Sequence, residues 1–404
     1  MIRFTQEFVR GRPEVCCPEH PPDTIRPHDT LDHHTMRQQT IAVAYGTRPQ
    51  VIKAARLLAA LGDRFPTFAI DTGQHYDYEL NALLYDELGV PAPDALLGVG
   101  SAPRPEQLAR IESACTDVLR GAQPRVVVVI GDTNSTLGCA RAAASLGIPL
   151  VHVEAGLRSH VPTMAEEMNR VEVDRHGALL CAPSRAAMAA LSNEGLADRA
   201  CLTGDVARDV LDFAVQRGLP EPGADWPLEH REQFLFATLH RAELTDDPRL
   251  LNGVIDALAA LPVPVVLALH PRTRERLPAL RDVSRRGALH VTRPVGYFDA
   301  LAAIQRSVGV VTDSGGIQRE AYWLGVPCLT IRRETEWTET VTRGANRLVD
   351  PARVAVDLPA AIAAMIDAPA TWDRDEYGNG TAAVAIASAI ASTPSLVHSF
   401  MNER

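Results

Sequence analysis

Residues 125–158 read RVVVVIGDTNSTLGCARAAASLGIPLVHVEAGLR, and the reading of this stretch decides the fold. Two apolar, β-branched runs, RVVVVI and PLVHVE, flank a segment whose apolar residues recur at helical spacing. A strand that is apolar at every position is buried on both faces, and strand–helix–strand order makes the two strands parallel neighbours. The pattern extends outward. TIAVAY and TFAIDT precede it and LLCAPS follows it, with helical segments between. At 217–232 the chain reads RGLPEPGADWPLEHRE, rich in Pro and Gly and without period, which marks a linker. The alternation then restarts with FLFATL, PVVLAL, VGVVTD and PCLTI. The expected class is α/β, with two doubly wound, Rossmann-type domains and a cleft between their facing strand ends. The expected bounds are 38–216 and 233–375 for the two domains. Residues 376–404 hold TAAVAIASAIA, a helix expected to pack back on the first domain.

The first 37 residues differ from the rest. They are rich in Pro, His and Asp, carry no apolar period, and read as a disordered extension. Cys16, Cys17, His20, His33 and His34 match no standard zinc spacing. Met36 stands just before the first strand, so the extension reads as a mis-start or as dispensable. The chain has 404 residues and a net charge of -10, which argues against a general nucleic-acid binder while leaving room for a local anion site. Seven cysteines, an odd number, lie mostly among apolar residues, as buried reduced thiols do, and this suits the cytoplasm. No apolar run approaches the roughly 20 residues of a membrane span, and no secretory leader pattern opens the chain.

Residues suited to chemistry gather at strand ends. Tyr45-Gly46-Thr47-Arg48-Pro49-Gln50 closes the first strand and opens a helix that carries Lys53. Arg48 and Lys53 near a helix start make an anion site or, equally, solvated charges beside a capped turn. The segment is neither G-x-G-x-x-G nor a P-loop, so dinucleotide and ATP sites are disfavoured. Ser314, Gly315 and Gly316 join a strand to a helix and offer backbone N–H groups to a phosphate, with Glu320 further along as an acceptor for sugar hydroxyls. Asp132, Glu154 and Glu166 follow strand ends or start loops, where side chains point into the ligand crevice. Several carboxylates around one substrate suit general acid–base work, because burial and crowding split their pKa values. Asp132 reads alternatively as the N-cap of the helix after it. His240-Arg241 and His270-Pro271-Arg272 each place a His at a strand end of the second half, beside or near an Arg that can neutralise an anion.

Taken together and in order from about Ile41 to Val349, these segments resemble the non-hydrolysing UDP-N-acetylglucosamine 2-epimerases. The resemblance rests on GTRPQVIK, TGQH at 72–75, GDT at 131–133, HVEAGLR at 152–158, AEEMNR at 165–170, Thr238 to Glu243, and TDSGGIQRE at 312–320. It implies a GT-B-like fold with the sugar nucleotide between the domains, usually a homodimer. It also implies a reaction without NAD or metal: UDP leaves C1 as C2 loses its proton, giving 2-acetamidoglucal, and UDP adds back with protonation from the other face. By motif position Asp132, Glu154 and Glu166 become the acid–base candidates, and His240 assists UDP departure. Arg48, Lys53, Gln74, His75, Arg170, Arg241 and His270 become substrate or UDP residues. Ser314 to Gly316 take the diphosphate and Glu320 the ribose. Which carboxylate is acid and which is base stays open.

The chain departs from the family pattern in places. Thr335-Glu336-Trp337-Thr338-Glu339 stands for TERPE, Leu244 replaces a polar residue after HRAE, Ala165 replaces a Pro, and Tyr76-Asp77-Tyr78-Glu79 follows TGQH. The pattern looks like the branch that includes enzymes for UDP-diacetamido-uronic acids and serves polysaccharide biosynthesis. The C3 and C6 substituents and regulation by a second UDP-sugar stay open. Three rivals use the same site: a hydrolysing 2-epimerase releasing UDP and N-acetylmannosamine, a GT-B glycosyltransferase, and an inactive UDP-sugar sensor.

Overall fold

The structure, a computed structural model, describes residues 40–74, 84–221, 226–228, 233–277, 284–367 and 371–397. The N-terminal extension, His75, much of the 217–232 linker and the last seven residues lie outside the described residues.

The first sheet has seven strands: β1 (Ile41–Tyr45), β2 (Thr67–Asp71), β3 (Ala95–Leu96), β4 (Val126–Ile130), β5 (Leu150–Val153), β6 (Leu179–Ala182) and β7 (Ala200–Leu202). Their order is β3-β2-β1-β4-β5-β6-β7, with every pairing parallel. The second sheet holds β8 (Leu235–Thr238), β9 (Val265–Ala268), β10 (Arg285–Arg286), β11 (Leu289–Thr292), β12 (Gly309–Thr312), β13 (Cys328–Thr330) and β14 (Asn346–Leu348). Its order is β10-β11-β9-β8-β12-β13-β14, and only the short outer β10 runs antiparallel. In the first sheet the strand order reverses between β1 and β4, and in the second between β8 and β12. A crevice opens at such a point, beyond the carboxyl ends of the strands. The nine strands expected from apolar runs are all present. The five unread ones are two to four residues long and mostly lack full burial, so no apolar run announces them.

The helices that matter for the site are α1 (Arg48–Gly62), α2 (Arg104–Ala122), α3 (Asn134–Ser145), α4 (Ala165–His176), α5 (Arg185–Asn193), α6 (Val206–Arg217), α7 (Pro248–Ala259), α8 (Tyr297–Arg306), α9 (Gly315–Leu324), α10 (Val354–Asp367) and α11 (Ala382–Ser392). The turn from β1 into α1 needs glycine: a Cβ on Gly46 would stand 1.8 Å from Thr72 Oγ1. Gln50 then ties the turn to its neighbour, donating from Nε2 to the Ile130 carbonyl at 2.6 Å and to Thr136 Oγ1 at 2.9 Å. α3 is capped by the Thr133 hydroxyl, which accepts from the Thr136 N–H. Asp132 is therefore not the cap of that helix, and its carboxylate is available elsewhere.

The chain's last long helix, α11, packs on α1 and α6 of the first domain. The Asp209 carboxylate, in α6, accepts the Ala382 and Ala383 N–H groups at 3.0 and 2.7 Å, so one helix supplies the cap of another. Asp209→Ala leaves two buried N–H groups without a partner, and about 1–3 kcal/mol of stability should be lost. Hydrogen exchange should quicken across 382–392 ahead of the rest of the chain; uniform exchange would show that the helix is held by its apolar face alone. That apolar face is continuous with an aromatic cluster from the second domain. Tyr377 meets Trp323 and Trp337 edge-on, with ring centroids 5.9 and 5.5 Å apart.

Candidate active site

Both switch points contribute. Glu154 comes directly after β5 and holds a left-handed backbone at φ 69°, which for a non-glycine residue costs about 1–3 kcal/mol. It is buried, and each carboxylate oxygen meets a cation. Oε2 accepts from Lys53 Nζ at 2.5 Å, and Oε1 accepts from Arg319 Nη1, of the second domain, at 2.9 Å. Burial works to raise the Glu154 carboxyl, but Lys53 and Arg319 outweigh it and hold the group at about 2. Arg319 Nη1 also binds Asp205, the buried N-cap of α6.

Asp132 is more open and pairs with Arg170, which is buried and also donates to Glu167 at 3.1 Å. Glu167 is fully engaged, accepting from Ser159 N, Ser159 Oγ and His160 N. Its neighbour Glu166 is half-buried, with its charge felt by Arg241 across the cleft. The doublet therefore divides its work: Glu167 braces the loop and Glu166 faces the crevice. The loop itself is held by Asp174, buried in α4, which accepts from His152 Nδ1 at 2.6 Å, Arg158 Nη2 at 2.7 Å and Gly156 N at 3.1 Å.

From the second sheet, the His240 and Arg241 N–H groups donate to the buried Asp313 carboxylate at 2.8 Å each. The His240 ring is about one-third exposed and lies 5.1 Å from the exposed His270 ring. α9 begins at Gly315, and the N–H groups of its first turn have no intrahelical acceptor. Ser314 N donates to Thr312 Oγ1, while the Ser314 hydroxyl makes no capping bond. Beside this turn stand Arg241 and the Glu336 carboxylate: Cβ on Gly315 would lie 2.8 Å from Glu336 Oε1. Burial works to raise Glu336, but Arg332, Arg241 and Arg170 hold it at about 2. The indole N–H of Trp337 and Nη2 of Arg332 are buried there without a hydrogen-bond partner. Unused donors at a helix start are the groups that can receive an anion.

Arg48 is half-buried and reaches across the cleft to the Val295 carbonyl at 3.3 Å. Gln74 braces the start of α3, accepting from Ser135 N and Oγ at 2.8 and 2.7 Å. Glu320 is buried against Tyr297; burial pushes its carboxyl up to about 7, against the pull of Arg319 and the Tyr297 hydroxyl. Among the described residues no three His, Cys, Asp or Glu side chains converge on a possible metal position. The sequence reading missed Asp205, Asp313, Asp174 and the structural part of Glu167. The signal for Asp205 and Asp313 was present, since each follows a strand within a Gly- or Ser-containing turn.

Comparison with known proteins gives the family. The family model described as UDP-N-acetylglucosamine 2-epimerase matches residues 60–391. The chain belongs to that family. A UDP-2,3-diacetamido-2,3-dideoxy-D-glucuronate 2-epimerase of Pseudomonas aeruginosa is 41% identical over 324 residues, covering 78% of this chain and 89% of the relative. A UDP-N-acetylglucosamine 2-epimerase of Methanocaldococcus jannaschii is 32% identical, covering 84% and 95%. The crystal structure of the Methanocaldococcus jannaschii UDP-GlcNAc 2-epimerase with UDP-GlcNAc and UDP superposes with a TM-score of 0.80 at 31% identity, covering 88% of this chain and 99% of that one. The 2-epimerase family thus shares with this chain its GT-B-like pair of α/β domains. Among the described residues no helix is long and apolar enough to cross a membrane.

Proposed function

We propose that this isomerase inverts C2 of a UDP-2-acetamido sugar by elimination and re-addition of UDP. The observation that carries the reading is the division of the cleft. Asp132, Glu154 and Glu166 come from the first domain, and an anion site at Ser314–Gly316 with His240 and Arg241 faces them from the second. In the forward half a carboxylate takes the C2 proton while the C1–oxygen bond breaks. The C–H electron pair becomes the C1=C2 double bond, and UDP leaves with the bonding pair. In the return half UDP oxygen re-forms the C1 bond and C2 takes a proton on the opposite face. Reactants and products are isomers, so the cycle needs no oxidant or reductant. Glu154 is held ionised with a cation on each oxygen, while Asp132 and Glu166 stand in the more open part of the crevice. Arg48 and Lys53 serve the substrate from the first domain, and His240 offsets charge on the departing UDP.

The substrate this reading favours is the UDP-2,3-diacetamido uronic acid, because the relative acting on it is 41% identical against 32% for the UDP-N-acetylglucosamine enzyme of Methanocaldococcus jannaschii. Proton NMR in D2O with each sugar nucleotide tests it. Deuterium at C2 and a manno product still bound to UDP are expected, with the higher kcat/KM for the uronate. Free sugar plus UDP would make the enzyme a hydrolase, and no exchange at C2 would overturn the reading. Exhaustive EDTA treatment should leave turnover intact. A cytoplasmic location belongs to the same reading, in keeping with the free cysteines at 115, 139, 181, 201 and 328, and so does a homodimer, which sedimentation tests.

Glu320 gives this reading a pH signature. As an ionised acceptor for ribose hydroxyls it should bind UDP-sugar better as pH rises through about 7. From pH 6 to pH 8 the ionised fraction, and with it affinity, should grow about tenfold. Glu320→Gln should flatten that dependence in calorimetry. For stability the sign is opposite. The raised carboxyl costs nothing below its ordinary value of 4.5 and weakens the free fold as pH climbs from there toward 7.

A further inference from the structure

We propose that Arg319 is a positioning residue of this reaction, reaching from the second domain into the first to hold the Glu154 carboxylate in its reactive orientation. The inference rests on the reading of Glu154 as a handler of the C2 proton. Four observations support it. The carboxylate is clamped from both sides of the cleft, Oε2 by Lys53 of α1 and Oε1 by Arg319 of α9. The guanidinium is itself fixed, stacked 3.9 Å over the Trp337 ring and 5.8 Å from Trp323, both of the second domain. Its Nη1 is shared with Asp205, whose carboxylate is tied to the Ala207 N–H at 2.9 Å. Lys53, Glu154, Asp205 and Arg319 are all nine-tenths or more buried, so solvent screens little of this charge.

A brace between domains needs only Arg319 and Asp205. Glu154 instead takes a left-handed backbone that is unfavourable for its residue type and brings its carboxylate into the same clamp. With one cation from each domain, the acid–base group is complete only when both domains are in place. The charged groups around Glu154 are Lys53 from α1, Arg319 and Glu320 from α9, and Asp205 at the start of α6; Glu320 feels both cations. Asp132, next to Gly131 on the adjoining turn, is occupied by Arg170.

The test uses the full chain with Arg319→Gln, Arg319→Lys, Asp205→Asn and Glu154→Gln. Turnover, KM, the pH profile of kcat, UDP affinity and melting temperature are measured on each. Arg319→Gln should lower kcat by about 10²-fold, the scale of a misplaced reacting group; because Arg319 also pulls the Glu320 carboxyl down, KM and UDP affinity are compared above pH 8, where they should stay within about threefold. Its acidic limb should move to higher pH, because one of the two cations that outweigh burial is gone. Arg319→Lys should recover part of kcat. Asp205→Asn, which loosens the second anchor of the guanidinium and keeps the Arg319–Glu154 bond, should lower kcat less than Arg319→Gln does and move the limb less. The inference fails if Arg319→Gln leaves kcat and the limb unchanged, or if Asp205→Asn lowers kcat as much as Arg319→Gln does. If Glu154→Gln is inactive in either of those cases, the reading of Glu154 stands and only the role of Arg319 is lost. If Glu154→Gln keeps its turnover, that reading and the inference fall together.

Discussion

Asp132→Asn, Glu154→Gln and Glu166→Gln are each expected to lower turnover by about 10²–10⁴-fold, the usual contribution of a positioned acid or base. A C2 hydrogen is weakly acidic, so its removal needs a base, and return on the other face needs an acid. An amide keeps the shape of the carboxyl and removes proton transfer. UDP binding should change little for Asp132→Asn and Glu166→Gln, which stand in the first domain opposite the anion site at α9. Solvent deuterium exchange at C2 and net epimerisation should fall by different amounts in at least one variant, because elimination and re-addition need not depend equally on one group. Near-normal rates in all three would make the carboxylates structural. Loss of UDP affinity in all three would leave them as supports of the site, with no acid–base role demonstrated.

Asp174→Asn should cost about 3–5 kcal/mol of stability, the range for removing one partner from a buried ion pair. The carboxylate is fully buried and serves three donors: the His152 ring, the Arg158 guanidinium and the Gly156 N–H. Asparagine retains one acceptor oxygen and leaves Arg158 with Glu194 as its ion-pair partner, at 2.7 and 2.8 Å, and with the Leu157 carbonyl at 2.6 Å. Burial works to raise the Asp174 carboxyl, but His152 and Arg158 outweigh it and depress it below the ordinary 3.8. The sign follows. Its contribution is present above the ordinary Asp range and is lost as pH falls through the lower folded value. Denaturant unfolding at neutral pH measures the loss, and a change under about 1 kcal/mol would show that Arg158 and His152 find other partners. The same loop carries Glu154, so turnover should fall with the fold.

The two α/β units and the nine fully apolar strands were legible in the sequence, while the order of the strands, and with it the reversal points, came from the fold. A buried parallel strand must be apolar at almost every position, and the turn that ends it needs small or capping residues, so VVVVI followed by GDT declares both a strand and its carboxyl end. That placed Asp132, Glu154, His240 and the Ser314–Gly316 turn at the crevice. The charge state and partner of each group were not legible. Glu154 is ionised because Arg319, 165 residues away, and Lys53, 101 away, converge on it in a buried space. Asp132 is tied to Arg170, 38 residues on, and not to its own helix. Glu166 and Glu167 are adjacent and chemically alike, yet one faces the cleft and the other braces a loop. Local sequence determines which residues reach the crevice, because burial and turn geometry are read over a few positions. The tertiary structure decides which of them is clamped, neutralised or left open, because charge and desolvation act through space between segments that only folding brings together.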